Sequence, residues 1–373
     1  MIPLARPLLG AEEAAAVAAV LDSGQLIQGP RVAAFEAGLR PWTGTPHVAA
    51  CSSGTAALTL AIEALGLPPA SRVALPAYTF PATLNAVLLA GHEPILVDVD
   101  PATWNLEPGD CAEVLDTWRP AALLCVHQFG ATAPLHDLLP LCEARGIVVI
   151  EDAACALGAW LEVDEVQVPA GALGAVGCFS FHPRKIVTTG EGGAVSTRDA
   201  GLDARVRLLR NHGMRRGPSH MVFERPGWNL RMSDLHAAVG LVQLDRLAVI
   251  LADRRRIAEG YRPRLVALRE RGVELPELPP GCSTNWQSFV LRLPRGAEVT
   301  EVIRGLAARG VQGSIGAQAL HQQPAFAALE GARRSLPGAD EAMDRALALP
   351  MPFGLDAQGM DRVVEALAAA LGA

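Results

Sequence analysis

Short apolar runs that alternate with helical patterns constrain the fold of this chain more than any other feature. The runs are bounded by turn residues and lie at 47–53, 72–78, 93–100, 121–129, 146–152, 176–181 and 192–197. A continuously apolar strand is typical of a parallel sheet that is covered on both faces. Helical patterns precede or separate most of the runs, although none is expected between the last two. The sequence therefore predicts an α/β fold with a mostly parallel central sheet flanked by helices.

The pattern changes at Ser233, where a long helical stretch begins with the cap-forming pair Ser-Asp. Beyond it, a strand-like run at 288–293 and helical patterns near 299–309 and 361–371 indicate a smaller α+β unit. We expect a large domain over residues 1–245 and a small C-terminal domain over residues 246–373.

Composition argues against several function classes. The formal charge is −7 and there is no basic arm, which argues against a nucleic-acid partner. The seven cysteines form no CxxC pair, which indicates reduced thiols rather than disulfides or a metal site. No apolar stretch reaches the length of a membrane span, and the first residues lack the apolar core of a signal peptide. We expect a soluble, cytoplasmic protein.

The chain contains a single lysine, Lys185, among its 32 basic residues. Arginine can replace lysine in most surface and salt-bridge roles, but it cannot form a Schiff base because its guanidinium stays protonated. Lys185 follows the apolar run at 176–181, where burial would lower the pKa of its amine and make it a nucleophile toward carbonyls. Chance survival of one lysine is the alternative.

Other candidates follow neighbouring runs, at the edge where open α/β sheets bind ligands. Residues 52–55 (Ser-Ser-Gly-Thr) open a helix, which suits either a phosphate or an ordinary N-cap. Phe80 could stack on a flat ligand or simply pack. Asp152 ends a buried run and needs a partner, which a protonated ring nitrogen, an arginine or a helix N-terminus would supply. Together with Lys185, these residues predict a pocket for pyridoxal 5′-phosphate (PLP).

Several motifs also resemble the DegT/DnrJ/EryC1/StrS family, which consists of fold-type-I, PLP-dependent sugar aminotransferases. They are SSGTAAL, LPAYTFPATLNAV, DVDPATWN, EDAACALGA, SFHPRKIVTTGEGG, LLRNHG and WNLRMSDLHAAVGLVQL. The resemblance covers the chain from about Pro3 to the LPMPFGL segment at 349–355. It implies a homodimer with shared active sites.

The resemblance also implies a role for individual residues. Lys185 would carry PLP as a Schiff base and then shuttle the substrate proton, while Asp152 would pair with the pyridine nitrogen. The remaining cofactor contacts would come from Ser53, Gly54, Thr55 and Ser180 at the phosphate, from Phe80 stacked on the ring, and from Asn229 reaching the phosphate of the partner subunit. His182 and His321 belong to the matching segments, but the resemblance assigns neither of them a catalytic step.

The chain departs from the family pattern at two places. Cys155 stands near the cofactor hydroxyl where many members have Gln or His, and a thiol is a weak hydrogen-bond donor. Residues 315–321 keep His321 but lack the tyrosine and prolines that many members have beside the sugar site. Lys185 argues against the branch of the family in which a histidine replaces the lysine and the enzyme is a dehydratase.

The sequence thus predicts an aminotransferase that moves an amino group, with glutamate as the expected donor, onto a keto group of a nucleotide-activated sugar. Keto cyclitols are an alternative class of acceptor. Two other functional hypotheses stay open. One is a non-catalytic regulatory protein on the same fold, and the other is a different PLP-dependent reaction, such as that of a lyase.

Overall fold

The structure is a computed structural model that describes residues 1–217 and 219–372. Its α-helices are α1 (Ala11–Ser23), α2 (Pro30–Thr43), α3 (Gly54–Leu65), α4 (Pro81–Leu89), α5 (Pro108–Trp118), α6 (Leu135–Glu143), α7 (Ala200–Arg210), α8 (Asp234–Asp245), α9 (Leu247–Arg264), α10 (Val266–Arg269), α11 (Val299–Ala308), α12 (Pro337–Arg345) and α13 (Ala357–Ala370). Short 3₁₀ helices span Gln128–Gly130, Leu320–Gln322 and Glu330–Ala332.

The strands follow in the same chain order. They are β1 (His47–Cys51), β2 (Arg72–Pro76), β3 (Tyr78–Thr79), β4 (Glu93–Val97), β5 (Ala122–Val126), β6 (Val148–Asp152), β7 (Trp160–Val163), β8 (Val166–Pro169), β9 (Val176–Ser180), β10 (Gly193–Thr197), β11 (Met214–Arg216), β12 (Met221–Phe223), β13 (Phe289–Arg292), β14 (Ser314–Ile315), β15 (Gln318–Ala319) and β16 (Ala346–Leu349).

A seven-stranded sheet forms the centre of the molecule, in the order β1-β10-β9-β6-β5-β2-β4. The pairs from β9 to β4 are parallel, and β10 alone runs antiparallel to its neighbours β1 and β9. These strands are almost entirely buried because α3 and other helices pack on the sheet. Each strand lies within one of the apolar runs, so the predicted α/β class with a mostly parallel sheet is confirmed.

Local signals explain how the elements next to the site begin and end. Ser53 caps α3 at its start, and Gly66 ends the same helix with a left-handed φ of 66°. Phe80 precedes α4, whose first residue is Pro81. The predicted absence of a helix between β9 and β10 also holds, because the intervening residues form a compact loop that contains Lys185.

A second, smaller sheet lies in the C-terminal third, in the order β13-β16-β14 with antiparallel pairs. It shares a separate apolar core with α9, α11 and α13, and Ile2 joins this core through a bridge to Val311. Tyr78 and Thr79 of β3 pair with β15, which ties the C-terminal segment back to the central sheet. The domain boundary at residue 245 stays a prediction.

The long helix expected after Ser233 is in fact two helices, α8 and α9, with a bend of 60° between them. Arg246 lies at the bend, and its guanidinium is anchored to Glu12 at 2.9 Å and to Glu13 at 2.8 Å. Among the described residues, no single helix is long and apolar enough to span a membrane. The bent pair of α8 and α9 meets the criteria of length and hydropathy when the two helices are taken together.

Candidate active site

The carboxyl ends of β1, β6 and β9 lie at one edge of the central sheet, and the residues there form the candidate site. Gly193 at the start of β10 pairs with both Cys51 and Ser180, which brings the ends of β1 and β9 together. A Cβ on Gly193 would lie 2.3 Å from the carbonyl oxygen of Ser53, so only glycine fits at this crossing. Asp152 ends β6, the parallel neighbour of β9.

The N-terminus of α3 packs directly against the end of β9. A Cβ on Gly54 would lie 2.7 Å from the Cβ of Ser180. The hydroxyl oxygen of Ser53 accepts the N–H of Ala56 at 3.0 Å, so the N-cap interpretation of this side chain holds. The first N–H groups of a helix have no acceptor within it and carry the positive end of its dipole. Gly54, Thr55 and Ser180 thus surround a place that suits an anionic group.

Asp152 is 4% exposed, and its hydrogen-bond partners are neutral. Oδ1 accepts the N–H of Ala154 at 3.1 Å, and Oδ2 accepts the hydroxyl of Thr83 at 2.9 Å. Burial raises the pKa of Asp152 above its ordinary value, and these two hydrogen bonds offset only part of that shift. A cationic partner would stabilise the ionised carboxylate here.

Lys185 lies in the loop after β9, and its Nζ is 3.0 Å from the Sγ of Cys155. Burial of the amine lowers the pKa of Lys185, but the sulfur of Cys155 and the carboxylate of Asp152 raise it, and the net shift is upward. The expectation of a lowered pKa is therefore wrong for this geometry, because Cys155 and Asp152 together favour the charged form of the amine more than burial disfavours it.

The loop that carries Lys185 is fixed by hydrogen bonds that the sequence did not reveal. The N–H of Lys185 donates to the carbonyl of His182 at 2.8 Å, and His182 Nδ1 accepts the N–H of Arg184 at 3.2 Å. Gln287 donates its side-chain amide to the carbonyl of Arg184. His182, which received no role from the sequence, is thus part of the turn that holds the lysine.

A second amide from the C-terminal part of the chain holds the opposite loop. Asn285 is buried, and its Nδ2 donates to the carbonyls of Cys155 at 2.8 Å and Leu157 at 2.9 Å. Asn285 and Gln287 therefore fix the two loops whose side chains meet at the Lys185–Cys155 contact. No local pattern in the sequence marks either amide as a residue that holds these loops.

Glu151, the neighbour of Asp152 on β6, forms a fully buried pair with His127, which follows β5. Nε2 of His127 is 2.8 Å from Glu151, and Nδ1 accepts the N–H of Ala133 at 2.9 Å, so the ring hydrogen faces the carboxylate. Burial would raise the pKa of Glu151, but the hydrogen bond from His127 and those from Gly174 and Gly171 lower it below its ordinary value. The pair anchors the loop that precedes β9.

The structure places the other predicted site residues around the same edge. Phe80 is 70% exposed and stands one helical turn before Thr83, the partner of Asp152. Asn229 is exposed and bridges Asn211 through its backbone, while the carbonyl of the next residue accepts the N–H of Ser52 at 2.9 Å. Asn229 is therefore close in the fold to the start of α3 in its own chain.

Residues 315–321 reach the site edge through β15. The hydroxyl of Tyr78 accepts the N–H of Ala317 at 2.8 Å, and a Cβ on Gly316 would lie 2.5 Å from that hydroxyl. The Nε2 atom of His321 is 2.7 Å from the carboxylate of Asp340, so this pair joins the end of the segment to α12. Gly316 is therefore tightly packed against Tyr78, and a larger residue would not fit there.

The residues present fit PLP. Gly54 lets the N-terminus of α3 approach Ser180 closely, since a Cβ there would lie 2.7 Å from the Cβ of Ser180, and a helix N-terminus suits a phosphate. Asp152 is buried with only neutral hydrogen-bond partners, which suits a protonated ring nitrogen. Lys185 supplies the one side-chain amine of the chain at the same edge.

Comparisons with known proteins agree with this geometry. The model of the DegT/DnrJ/EryC1/StrS aminotransferase family matches residues 7–368. GDP-perosamine synthase from Caulobacter vibrioides is 35% identical over 369 residues, which cover 98% of this chain and 97% of that protein. The crystal structure of the aminotransferase TlmJ from Streptoalloteichus hindustanus superposes with a TM-score of 0.91 at 33% identity, covering 100% of this chain and 99% of that one.

DesV from S. venezuelae, solved in complex with a ketimine intermediate, superposes with a TM-score of 0.87 at 33% identity, covering 97% of this chain and 95% of DesV. These matches cover nearly the full length of both chains in each comparison, so they apply to the whole fold. The chain belongs to the DegT/DnrJ/EryC1/StrS aminotransferase family and is a PLP-dependent aminotransferase.

Proposed function

We propose that the chain transfers an amino group from glutamate to a keto group of a nucleotide-activated sugar, with Lys185 as the attachment point of PLP. The observation that carries the proposal is the meeting of Lys185, Asp152 and the start of α3 at one sheet edge. GDP-perosamine synthase, which is similar over its whole length, supports a nucleotide sugar as the acceptor. A non-catalytic role is not favoured, because such a role needs neither the lysine nor the buried acid.

When bound, PLP supplies an aldehyde carbon that joins amines and a ring that withdraws electrons. Asp152 would hold the proton of the ring nitrogen at its carboxylate, and the N–H groups of Gly54 and Thr55 with the hydroxyl of Ser180 would bind the phosphate. Phe80 would cover one face of the ring. Lys185 would hold the cofactor at rest and, once released, take a proton from the substrate carbon and return it.

Arg254, a buried cation near Lys185, is our candidate for the residue that binds the carboxylate of glutamate. Arg254 is 7% exposed and lines a cavity together with Lys185 and Arg6. Its Nη1 donates to the carbonyls of Trp286 and Gln287 at 3.0 Å each, and burial lowers its pKa to about 10. Among the described residues it has no carboxylate within salt-bridge distance. A buried cation that lacks an acidic partner suits the carboxylate of an amino donor.

A homodimer with shared active sites is part of the proposal. The hairpin of β11 and β12 exposes the apolar side chains of Met221, Val222 and Phe223, and Trp228 beside it is 43% exposed. Exposed apolar patches of this kind mark protein interfaces. Asn229 follows directly and would bind the phosphate in the partner's site. We also place the protein in the cytoplasm, since all seven cysteines are free thiols.

The direct test is a screen of nucleoside diphosphate keto sugars with glutamate, read by mass spectrometry. We expect one acceptor to gain an amino group while glutamate becomes 2-oxoglutarate. The matched control is Lys185→Arg, which keeps the charge but cannot form the attachment. If no keto sugar is aminated, or if Lys185→Arg is as active as the wild type, the proposal is wrong; amination of keto cyclitols alone would change the acceptor class.

A further inference from the structure

The contact between Lys185 and Cys155 brings an amine and a thiol together in a fixed geometry. The 3.0 Å separation of Nζ and Sγ is maintained from both sides. Asn285 holds the carbonyl of Cys155, and the hydrogen bonds to His182 hold the backbone of Lys185. Neither loop needs to move for the two side chains to meet.

The environment of Cys155 differs from that of the other cysteines. Burial raises the pKa of Cys51 and Cys111 to about 12 and that of Cys142 to about 11. Burial also raises the pKa of three further thiols, Cys125, Cys178 and Cys282. A thiol that stays protonated is a poor nucleophile toward oxidants. Cys155 is only partly buried and is the one whose sulfur contacts an amine.

We propose that Cys155 and Lys185 form an oxidative modification site, at which a hydroperoxide converts the thiol–amine pair into a reversible sulfenamide cross-link. The thiol sulfur attacks the peroxide O–O bond, which gives a sulfenic acid and, from hydrogen peroxide, one water. Lys185 then gives up the proton of its ammonium form to solvent, and the neutral amine nitrogen attacks that sulfur, so the S–N bond forms while the S–O bond breaks. The hydroxyl leaves with one amine proton as a second water.

The cross-link would be confined to protein whose Lys185 is free, which is the part of the inference that rests on the proposed function. An amine that carries PLP cannot attack the sulfenic acid. Conversely, a cross-linked Lys185 cannot take up PLP until a dithiol attacks the sulfur, returns the thiol and the amine, and is itself oxidised to a disulfide. Oxidation of the cofactor-free protein at this site would therefore be reversible.

Treatment of the full-length protein with hydrogen peroxide, before and after PLP is removed, tests the inference. In the PLP-free protein we expect a loss of the mass of two hydrogen atoms. Trypsin should yield the peptide 146–184 joined to the peptide 185–198, which begins with Lys185. Dithiothreitol should separate the two peptides, and PLP loaded beforehand should prevent the link.

Three variants control the result. Cys155→Ala and Lys185→Arg should abolish the joined peptides. Cys282→Ala should form them like the wild type, because Cys282 is also only partly buried but faces the carbonyl of Ala133 at 3.9 Å rather than an amine.

The outcomes separate the inference from the proposed function. If Cys155 is unmodified or becomes a sulfinic acid without a link, the inference is overturned, even where borohydride still fixes PLP on Lys185. If the link forms equally with and without PLP, the modification site stands and the attachment of PLP to Lys185 is refuted.

Discussion

Asp152→Asn separates the electrostatic role of this residue from its role in the fold. Asn has nearly the same shape, and its amide oxygen can still accept the N–H of Ala154, now 3.1 Å from Oδ1. The amide nitrogen would face the hydroxyl of Thr83, 2.9 Å from Oδ2, which can rotate to accept a hydrogen bond. The substitution therefore removes the charge and leaves the hydrogen bonds of the strand end intact.

The expected loss follows from the burial of the carboxylate. A hydrogen bond to a charged group contributes about 1.5–3 kcal/mol, and a fully buried site such as this one gives little screening. At about 1.4 kcal/mol per factor of ten, PLP should bind about 10- to 100-fold more weakly to Asp152→Asn. The half-reaction with glutamate should fall as well, because the ring nitrogen loses the group that keeps it protonated.

The same substitution should not destabilise the PLP-free protein. The folded-state pKa of Asp152 is raised, so the folded protein binds this proton more tightly than the unfolded chain does. The residue's contribution to stability is therefore greatest below its unfolded pKa of about 3.9 and falls as the pH rises through the folded value. Asparagine does not ionise, so Asp152→Asn avoids this fall in stability. At neutral pH its PLP-free form should therefore be at least as stable as the wild type.

PLP titration, single-turnover kinetics with glutamate and urea denaturation between pH 4 and 8 measure these three effects. Asp164→Asn is the matched control, since it makes the same change at an exposed turn. It should leave all three quantities unchanged. If Asp152→Asn binds PLP and reacts with glutamate within about twofold of the wild type, the pairing of Asp152 with the ring nitrogen is wrong.

The remaining predictions concern the phosphate, the donor and the dimer. Gly54→Ala should weaken PLP binding, measured by titration, because its Cβ would lie 2.7 Å from that of Ser180; Ser180→Gly in the same chain should not rescue affinity if the Ser180 hydroxyl binds the phosphate. Arg254→Lys should raise KM for glutamate by about 10-fold, equivalent to about 1.4 kcal/mol, with kcat little changed; a lower kcat at unchanged KM would contradict a donor-binding role. Lys185→Ala and Asn229→Ala chains, each weak alone, should regain part of the activity when unfolded and annealed together, since a mixed dimer has one intact site. No recovery, with wild-type controls that re-anneal well, would refute the shared site.

The central sheet was predictable because its strands are apolar throughout, and burial on both faces leaves a strong local signal. The hairpin of β7 and β8 lacked such a signal, since it is largely exposed and carries charged residues. The bend at Arg246 was missed for a different reason. Its backbone leaves the helix where the side chain is anchored to Glu13, 233 residues away, and periodicity carries no information about such a contact.

The same limit applies to the site. Lys185, Asp152 and the start of α3 could be predicted because each directly follows a strand, and parallel strands end at one edge. Asn285 lies 130 residues from Cys155 in the chain, and nothing local marks it as the residue that holds that loop. The upward pKa shift of Lys185 likewise depends on Cys155 and Asp152, which only the fold brings near the amine.

Borohydride reduction of the PLP-loaded protein tests the central claim most directly. Lys185 is the only lysine, so no other side-chain amine can carry the cofactor. The protein should be yellow, and reduction should fix PLP on the tryptic peptide 185–198, with Lys185 retained at its start because trypsin does not cleave after a modified lysine. A protein that stays colourless with added PLP, or a label on any other peptide, would contradict the claim.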